Sequence, residues 1–146
     1  HHSIAQLSRL FGVPHAVTAS GVRLRPEYGV FDQVLMLFEY ASGLRGVFSH
    51  SDYLGGGRNY FYVRGREGVV SIERRRAVLA DREGREVRAV DLDDTDTYVR
   101  MSDELVDCAQ QGREPSYTKE DALGDLMTLL AVARSVEEGA RVEVGF

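Results

Sequence analysis

Short apolar runs separated by turn residues fill the middle of this chain. Glycine, serine and aspartate lie between the runs, at the spacing of β-hairpins. Because short turns of this kind join neighbouring antiparallel strands, the pattern predicts a mainly antiparallel sheet. The predicted strands cover residues 15–24, 31–41, 44–52, 58–64, 69–74, 77–81 and 85–91.

The predicted strand over 31–41 is apolar on both of its faces. Leu35 and Leu37 point one way, and a second apolar set points the other way: Val34, Met36, Phe38 and Tyr40. One layer of helices covers only one face of a sheet, so the other face requires another domain or subunit. We therefore predict a homo-oligomer, a dimer or tetramer, formed through this face. The alternative is that a loop covers Leu35 and Leu37.

Helical spacing marks both ends of the chain. Residues 1–12 form an amphipathic pattern already under way at the first residue, with an apolar stripe of Ile4, Leu7, Leu10 and Phe11. A complete domain usually has a capping residue and a lead-in before its first helical turn, so this start predicts the second half of a longer protein.

Two further helices and a strand are predicted near the carboxyl end. The first has Met101, Leu105, Cys108 and Ala109 along one side and closes at Gly112. The second begins with a capping box of Thr118 and Asp121, ends at Gly139, and is followed by a strand over 141–144. Its stripe is expected to pack on the sheet and consists of Leu123, Leu126, Met127, Leu130 and Ala133. The prediction is one α+β domain over 1–146, an open sheet with helices on one face.

Composition excludes several classes of partner. A formal net charge of -5 argues against general attraction to nucleic acid. No apolar run approaches the roughly 20 residues that cross a bilayer, so no membrane partner is expected. The single cysteine, Cys108, cannot form an internal disulfide and is interpreted as a small core residue, which suits the reducing cytoplasm.

A polar face on the first helix is a candidate ligand site. His2, Gln6 and Arg9 fall roughly opposite the apolar stripe. These side chains could hydrogen-bond an oxygen-rich ligand, and imidazole exchanges a proton near neutral pH. Two alternatives remain open: a solvated helix face, or a remnant of a histidine purification tag at His1 and His2.

A glycine-rich loop is a second candidate. Tyr53, Arg58 and Asn59 surround Gly55-Gly56-Gly57, where the backbone can approach a ligand closely. We predict substrate contacts there, with an exposed flexible turn as the alternative. His15 and His50 lack partners at metal-ligand spacing and are interpreted as ordinary strand residues, so no metal site is predicted.

Four segments, in order, resemble one enzyme family. They are His2-Ser3-Ile4 leading to Leu10-Phe11-Gly12, the hairpin 40–46, the strand pair 57–68 and the closing helix 121–139. They resemble the C-terminal domain of the glucose-fructose oxidoreductase, inositol dehydrogenase and MocA family (Gfo/Idh/MocA). The resemblance covers nearly the whole chain and implies a dihydrodipicolinate-reductase-like C-terminal domain.

The resemblance also implies a function. A preceding Rossmann domain would bind NAD or NADP, while this domain would contact a small-molecule substrate and form the oligomer. The implied enzyme is an NAD(P)-dependent oxidoreductase acting on a hydroxyl of a sugar, polyol or cyclitol. This chain has no Gly-x-Gly-x-x-Gly between a strand and a helix, so the fragment alone is expected to bind no cofactor and to be inactive.

The family's site residues transfer only in part. His2 matches the histidine near the reacting hydroxyl, which makes it the predicted catalytic residue. Ala5 stands where the family has an aspartate that would orient the imidazole. Another group could substitute for it, the acid–base chemistry could differ, or catalysis could be lost. The last case leaves a non-catalytic ligand-binding or scaffolding module as the alternative function.

Overall fold

A computed structural model describes residues 2–27, 29, 31–52, 60–73, 75–93 and 96–145. The chain divides into two compact units, His1–Gly55 with Glu114–Phe146 and Gly56–Arg113. In chain order the elements are α1 His2–Phe11, β1 Ala16–Val22, β2 Gln33–Glu39, β3 Arg45–Ser51, β4 Tyr60–Arg64, β5 Val69–Glu73, β6 Arg76–Ala80, β7 Glu86–Asp91, α2 Thr97–Gln111, α3 Lys119–Glu138 and β8 Val142–Glu143.

The first unit contains a four-stranded antiparallel sheet in the order β3-β2-β1-β8. Directly paired residues share a face, so the pairs Val17 with Phe38 and Ala19 with Met36 define an inner face. This face is buried, together with Val34 and Tyr40, in the core of the unit. The alternation predicted for the strand over 31–41 is confirmed.

Helix α3 packs against β1 through a face of small and polar residues. Its ends match the predictions, because Thr118 and Asp121 form a capping box and Gly139 is left-handed at φ 61°. The predicted apolar stripe is wrong, since Leu123, Leu126 and Leu130 are exposed. The buried residues are instead Gly124, Asp125, Thr128, Ala131, Val132 and Ser135. Small side chains let the helix approach its neighbours closely, which bulky leucines would prevent.

The glycine in that face shows how close the approach is. A Cβ placed on Gly124 would lie 2.6 Å from Val13 Cγ2, in the segment that follows α1. Helix α1 packs on α3 and contributes to the same core, with Ile4 buried and with Leu7 and Phe11 packed against it. Leu10 is exposed, so the predicted stripe of α1 is correct at three of its four positions.

The outer face of this sheet carries apolar side chains. Leu35 is 53% exposed and Leu37 38%, and Val47, paired with Leu37, is also exposed. Polar residues of β1 share this face, since Thr18 pairs with Leu37 and Ser20 with Leu35. The two leucines therefore point away from the core as predicted.

The second unit contains a four-stranded antiparallel meander in the order β4-β5-β6-β7, together with α2. Helix α2 begins at Asp96, whose carboxylate accepts from the Tyr98 amide, and closes at Gly112 as predicted. Cys108 is buried as predicted, but Met101 is exposed and Leu105 is 71% exposed. Helical spacing correctly places these residues on one side of α2, but burial depends on what covers each point of that side.

The α+β class with antiparallel sheets is confirmed. The described strands divide into two sheets, whereas the sequence pattern predicted one open sheet, because hairpin spacing does not indicate where one sheet ends and the next begins. Among the described helices, none combines the length and apolarity needed to cross a bilayer.

Candidate functional site

The predicted polar face of α1 is present. His2, Gln6 and Arg9 are exposed on this helix, while Ile4 is buried. Arg9 Nη1 donates to the Ser116 carbonyl at 3.3 Å, which directs its guanidinium toward the start of α3. There the Thr118 amide and hydroxyl hold the pKa of Asp121 below its ordinary value, and the charge of Arg9 adds a smaller effect. Arg9 is therefore partly engaged by the protein itself.

The three predicted loop residues cannot be placed. Tyr53, Arg58 and Asn59 lie outside the described residues, as does the triple glycine between them. Their assignment as substrate contacts stays a prediction.

The structure reveals an imidazole–carboxylate pair that sequence analysis did not single out. His50 Nε2 lies 3.1 Å from Asp52 Oδ1 at the end of β3. The His50 ring also stacks on Phe48, with ring centroids 6.3 Å apart and an interplanar angle of 10°. Both side chains of the pair are 52% exposed, so a solute can reach them. The i, i+2 spacing was a usable signal, because alternate residues of a strand share a face.

A buried carboxylate fixes the backbone beneath this pair. The Asp52 amide donates to the Asp32 carbonyl at 2.9 Å. The Asp32 side chain accepts from the Leu24 and Arg25 amides, at 3.0 Å each, and from Arg25 Nε at 3.2 Å. These bonds, led by the Leu24 amide, hold the pKa of Asp32 below its ordinary value. Asp32 therefore stays ionised at neutral pH and ties the 23–25 segment to the start of β2.

A tyrosine and a carboxylate form a second pair at the beginning of α3. The Tyr117 hydroxyl donates to Asp125 Oδ2 at 2.6 Å, and this bond is the main cause that raises the pKa of Tyr117 to about 12. Asp125 is only 3% exposed, and its Oδ1 has no hydrogen-bond partner within the part of the chain that the structure describes. Tyr117 thus stays protonated at neutral pH and acts as a donor.

The opposite end of the first sheet carries a cluster of charges. Arg141 Nε lies 3.0 Å from Glu39 Oε1, and Arg45 Nη2 lies 3.6 Å from Glu39 Oε2. Arg141 is the main cause that lowers the pKa of Glu39. His15 Nε2 lies 3.8 Å from Glu39 Oε2, beyond hydrogen-bonding distance, so its ring is not held as the His50 ring is.

The described residues include no metal-ligand cluster, and the starts of α2 and α3 are capped by side chains. Among them no group of three His, Cys, Asp or Glu side chains could hold a metal ion. The connection from β7 to α2 contains no glycine and several aspartates, and the amides that open α2 and α3 are capped by Asp96, Thr118 and Asp121. Each of these caps occupies one of the amides that a pyrophosphate binds at a helix start.

Comparison with known proteins identifies relatives. Residues 1–71 match the family model described as the GFO/IDH/MocA C-terminal domain. No curated protein sequence matches the chain.

Solved structures share the fold over nearly the whole chain. An oxidoreductase from Thermotoga maritima superposes with a TM-score of 0.82 at 24% identity, covering 98% of this chain and 42% of that chain. GenD2 from gentamicin A biosynthesis, in complex with NAD, superposes with a TM-score of 0.78 at 26% identity. The match covers 99% of this chain and 46% of that chain. The WlbA dehydrogenase from Bordetella pertussis, in complex with NADH and UDP-GlcNAcA, superposes with a TM-score of 0.74 at 19% identity. The match covers 99% of this chain and 43% of that chain. The chain therefore spans less than half the length of these three structures.

Proposed function

We infer that this chain is related to the Gfo/Idh/MocA family, as its sequence predicts, because residues 1–71 match the model of that family's C-terminal domain. From this we propose that the chain supplies the substrate-binding and assembly part of an NAD(P)-dependent oxidoreductase. The substrate class is a small molecule with a reactive hydroxyl, such as a sugar, polyol or cyclitol. The match over residues 1–71 is the observation that carries the proposal, and the shared fold supports it over the rest of the chain.

The polar face of α1 supports a hydroxyl-bearing substrate. Gln6 and Arg9 supply amide and guanidinium donors, and His2 supplies an imidazole that can accept a hydroxyl proton. In this proposal His2 holds that proton while Gln6 and Arg9 orient the remaining oxygens. Tyr53, Arg58 and Asn59 are proposed as further substrate contacts.

The cofactor would be held by another part of a longer protein. The side-chain caps described above already occupy one amide at the start of α2 and one at the start of α3, and the acidic connection before α2 would repel the phosphates of a dinucleotide. GenD2 and WlbA are described with NAD and NADH, which supports a nicotinamide cofactor in the whole enzyme. Without that part, this chain is expected to be inactive. Cys108, free and buried, suits the reducing cytoplasm, where we place the protein.

Assembly through the outer sheet face completes the proposal. Leu35, Leu37 and Val47 form an exposed apolar patch on the face opposite the core. Burying them against a second copy would remove apolar surface from water, which is the main driving force of association. The proposed assembly is a dimer or tetramer.

Ala5 favours a second candidate function. This position supplies no carboxylate, whereas the family resemblance implies an aspartate there. A ligand-binding or scaffolding module that keeps the sheet but not the catalysis would have the same fold.

One experiment separates the two functions. The full reading frame containing this chain would be purified and assayed for nicotinamide reduction across a panel of polyols, sugars and sugar phosphates. Turnover that falls at least about tenfold in His2→Ala, but not in His15→Ala, would support the oxidoreductase. Unchanged turnover in His2→Ala would remove His2 from the mechanism, and binding without turnover on any panel member would favour the non-catalytic module.

A further inference from the structure

We propose that His50, held by Asp52, is a hydroxyl-binding residue, and that its Nδ1 accepts a hydrogen bond from a polyol or sugar hydroxyl. The inference takes its ligand class from the proposed function and its location from contacts of the first unit. It assigns a role to a histidine that the sequence pattern treats as an ordinary strand residue.

The contact with Asp52 determines which ring nitrogen is available. A carboxylate only accepts hydrogen bonds, so the His50 nitrogen that faces it, Nε2, carries the proton. In the neutral ring the other nitrogen, Nδ1, then has a lone pair and no proton. An acceptor at Nδ1 suits a hydroxyl, which can donate its proton to it.

The pair is rigidly supported, which separates it from a fortuitous surface contact. Phe48 stacks on the imidazole and restricts its rotation. The Asp52 amide is bonded to the Asp32 carbonyl, and the buried Asp32 carboxylate is held by three donors from Leu24 and Arg25. The backbone that carries the orienting carboxylate is therefore held in place, which reduces the ordering that ligand binding requires.

His50 and helix α1 belong to the same unit, and both adjoin its buried core. Phe11, at the end of α1, contacts Tyr40 beyond the last residue of β2, with ring centroids 6.0 Å apart. Ile4 lies in the same buried core as Val34, near the first residue of β2. Tyr40 and Val34 both lie on the inner face of the sheet.

His50 pairs directly with Val34 and therefore lies on that same inner face. The His50–Asp52 pair thus belongs to the same unit as the polar face of α1. An imidazole acceptor held beside a carboxylate suits a ligand with several hydroxyls.

His15 provides a matched control within the chain. It is also a partly exposed histidine of this unit, and it also lies beside a carboxylate. Its 3.8 Å separation from Glu39 is too long for a hydrogen bond, and it lies at the opposite end of β2, beside the last residue of that strand.

Imidazole nitrogen NMR of the isotopically labelled chain tests the inference. Before any ligand is added, neutral His50 is expected almost wholly in the Nε2–H form, and the share of this form is expected to fall in Asp52→Ala, while His15 is unaffected by that change. A neutral His50 that carries its proton on Nδ1 would overturn the inference without any variant.

Titration with myo-inositol provides the second measurement. The His50 Nδ1 resonance is expected to move saturably, the His15 resonances to stay in place, and 1,4-dioxane, which has no hydroxyl, to cause no such change. His50→Ala should weaken myo-inositol binding about tenfold, as followed by the His2 ring resonances, and His15→Ala should not. The more conservative His50→Gln serves if backbone amide spectra show that His50→Ala is unfolded.

The possible failures are distinguishable. Saturable movement of His2 without movement of His50, or unchanged affinity in the His50 variants, would overturn the inference and leave the proposed function standing. Absence of any polyol-induced change at His50 would also overturn it, while turnover by the full reading frame would still decide the proposed function.

Discussion

The Ser135 hydroxyl accepts a hydrogen bond from the Ala19 amide at 2.8 Å and so closes the open edge of β1. Strand β8 pairs only with Ala16 and Val17, which leaves the next part of that edge without a described strand beside it. The same hydroxyl donates to the Ala140 carbonyl at 2.5 Å. One fully buried serine thus joins α3, β1 and the segment after the helix.

Removing this hydroxyl should destabilise the first unit. In Ser135→Ala the buried Ala19 amide loses its acceptor, which is expected to lower the free energy of unfolding by about 1–3 kcal/mol. Urea denaturation measures the change. Ser20→Ala, an exposed serine on β1, is the control and should change stability by less than about 0.5 kcal/mol. An equal effect of the two substitutions would contradict the role assigned to Ser135.

A glycine at the start of β5 should resist substitution because of its backbone neighbour. A Cβ on Gly68 would lie 2.1 Å from the Ala80 carbonyl oxygen, so Gly68→Ala must displace the β5–β6 pairing. We expect a loss of about 1–3 kcal/mol or more. A Cβ on Gly65 would have its nearest neighbour, the Gly68 carbonyl oxygen, at 3.7 Å, which is an ordinary contact. Gly65→Ala should therefore destabilise the protein far less. Hydrogen exchange of the β5 and β6 amides provides the measurement, and equal exchange in both variants would refute the clash.

Stability should fall in acid, in part through Asp32. Hydrogen bonds from Leu24 and Arg25 lower the folded-state pKa of this carboxyl below its ordinary value of 3.8. The contribution of Asp32 to the free energy of unfolding is therefore complete above the pKa of this carboxyl in the unfolded chain. It is lost as the pH falls through the lower pKa of the folded state. Asp32→Asn should reduce stability at pH 7 and flatten the decline below about pH 4. Urea denaturation from pH 7 to pH 2.5, with exposed Asp103→Asn as the control, checks this, and an unchanged acid decline in Asp32→Asn would exclude the contribution.

Association through the outer sheet face can be tested directly. A charge introduced by Leu35→Asp or Leu37→Asp should weaken self-association at least about tenfold, because a buried unpaired carboxylate is costly. Sedimentation equilibrium provides the dissociation constant. Leu123→Asp, at an exposed leucine of α3, is the control and should leave it unchanged. A strictly monomeric parent chain at high concentration would contradict the proposed assembly.

Local signals in the sequence identified most element limits. Thr118 and Asp121 define the start of α3, and Gly112 and Gly139 the ends of α2 and α3, because capping depends on neighbouring backbone groups. The period of two along β2 also correctly separated Val34 from Leu35. These features require no knowledge of distant residues.

The buried side of α3 was not predictable in the same way. Its leucines recur at helical spacing, but the helix turns Ala131 and Ser135 to the sheet, with Gly124 against Val13. The helical period gives the angle around the helix axis between two side chains. It does not show which face of the helix packs against the sheet. Close packing and the hydrogen bond to the Ala19 amide decided that orientation.

The candidate site also has one part that the sequence predicted and one part that only the structure revealed. The exposure of His2, Gln6 and Arg9 followed from the apolar stripe of α1, which the sequence itself contains. The orientation of His50 depends on Asp52, whose amide bonds to Asp32 some 20 residues earlier, and Asp32 in turn is held by the 24–25 segment. By itself the sequence determined the elements, their caps and the alternation of β2, because short-range geometry governs them. Only the tertiary structure decided which face of α3 is buried and which imidazole is oriented, because those depend on contacts between residues far apart in the chain.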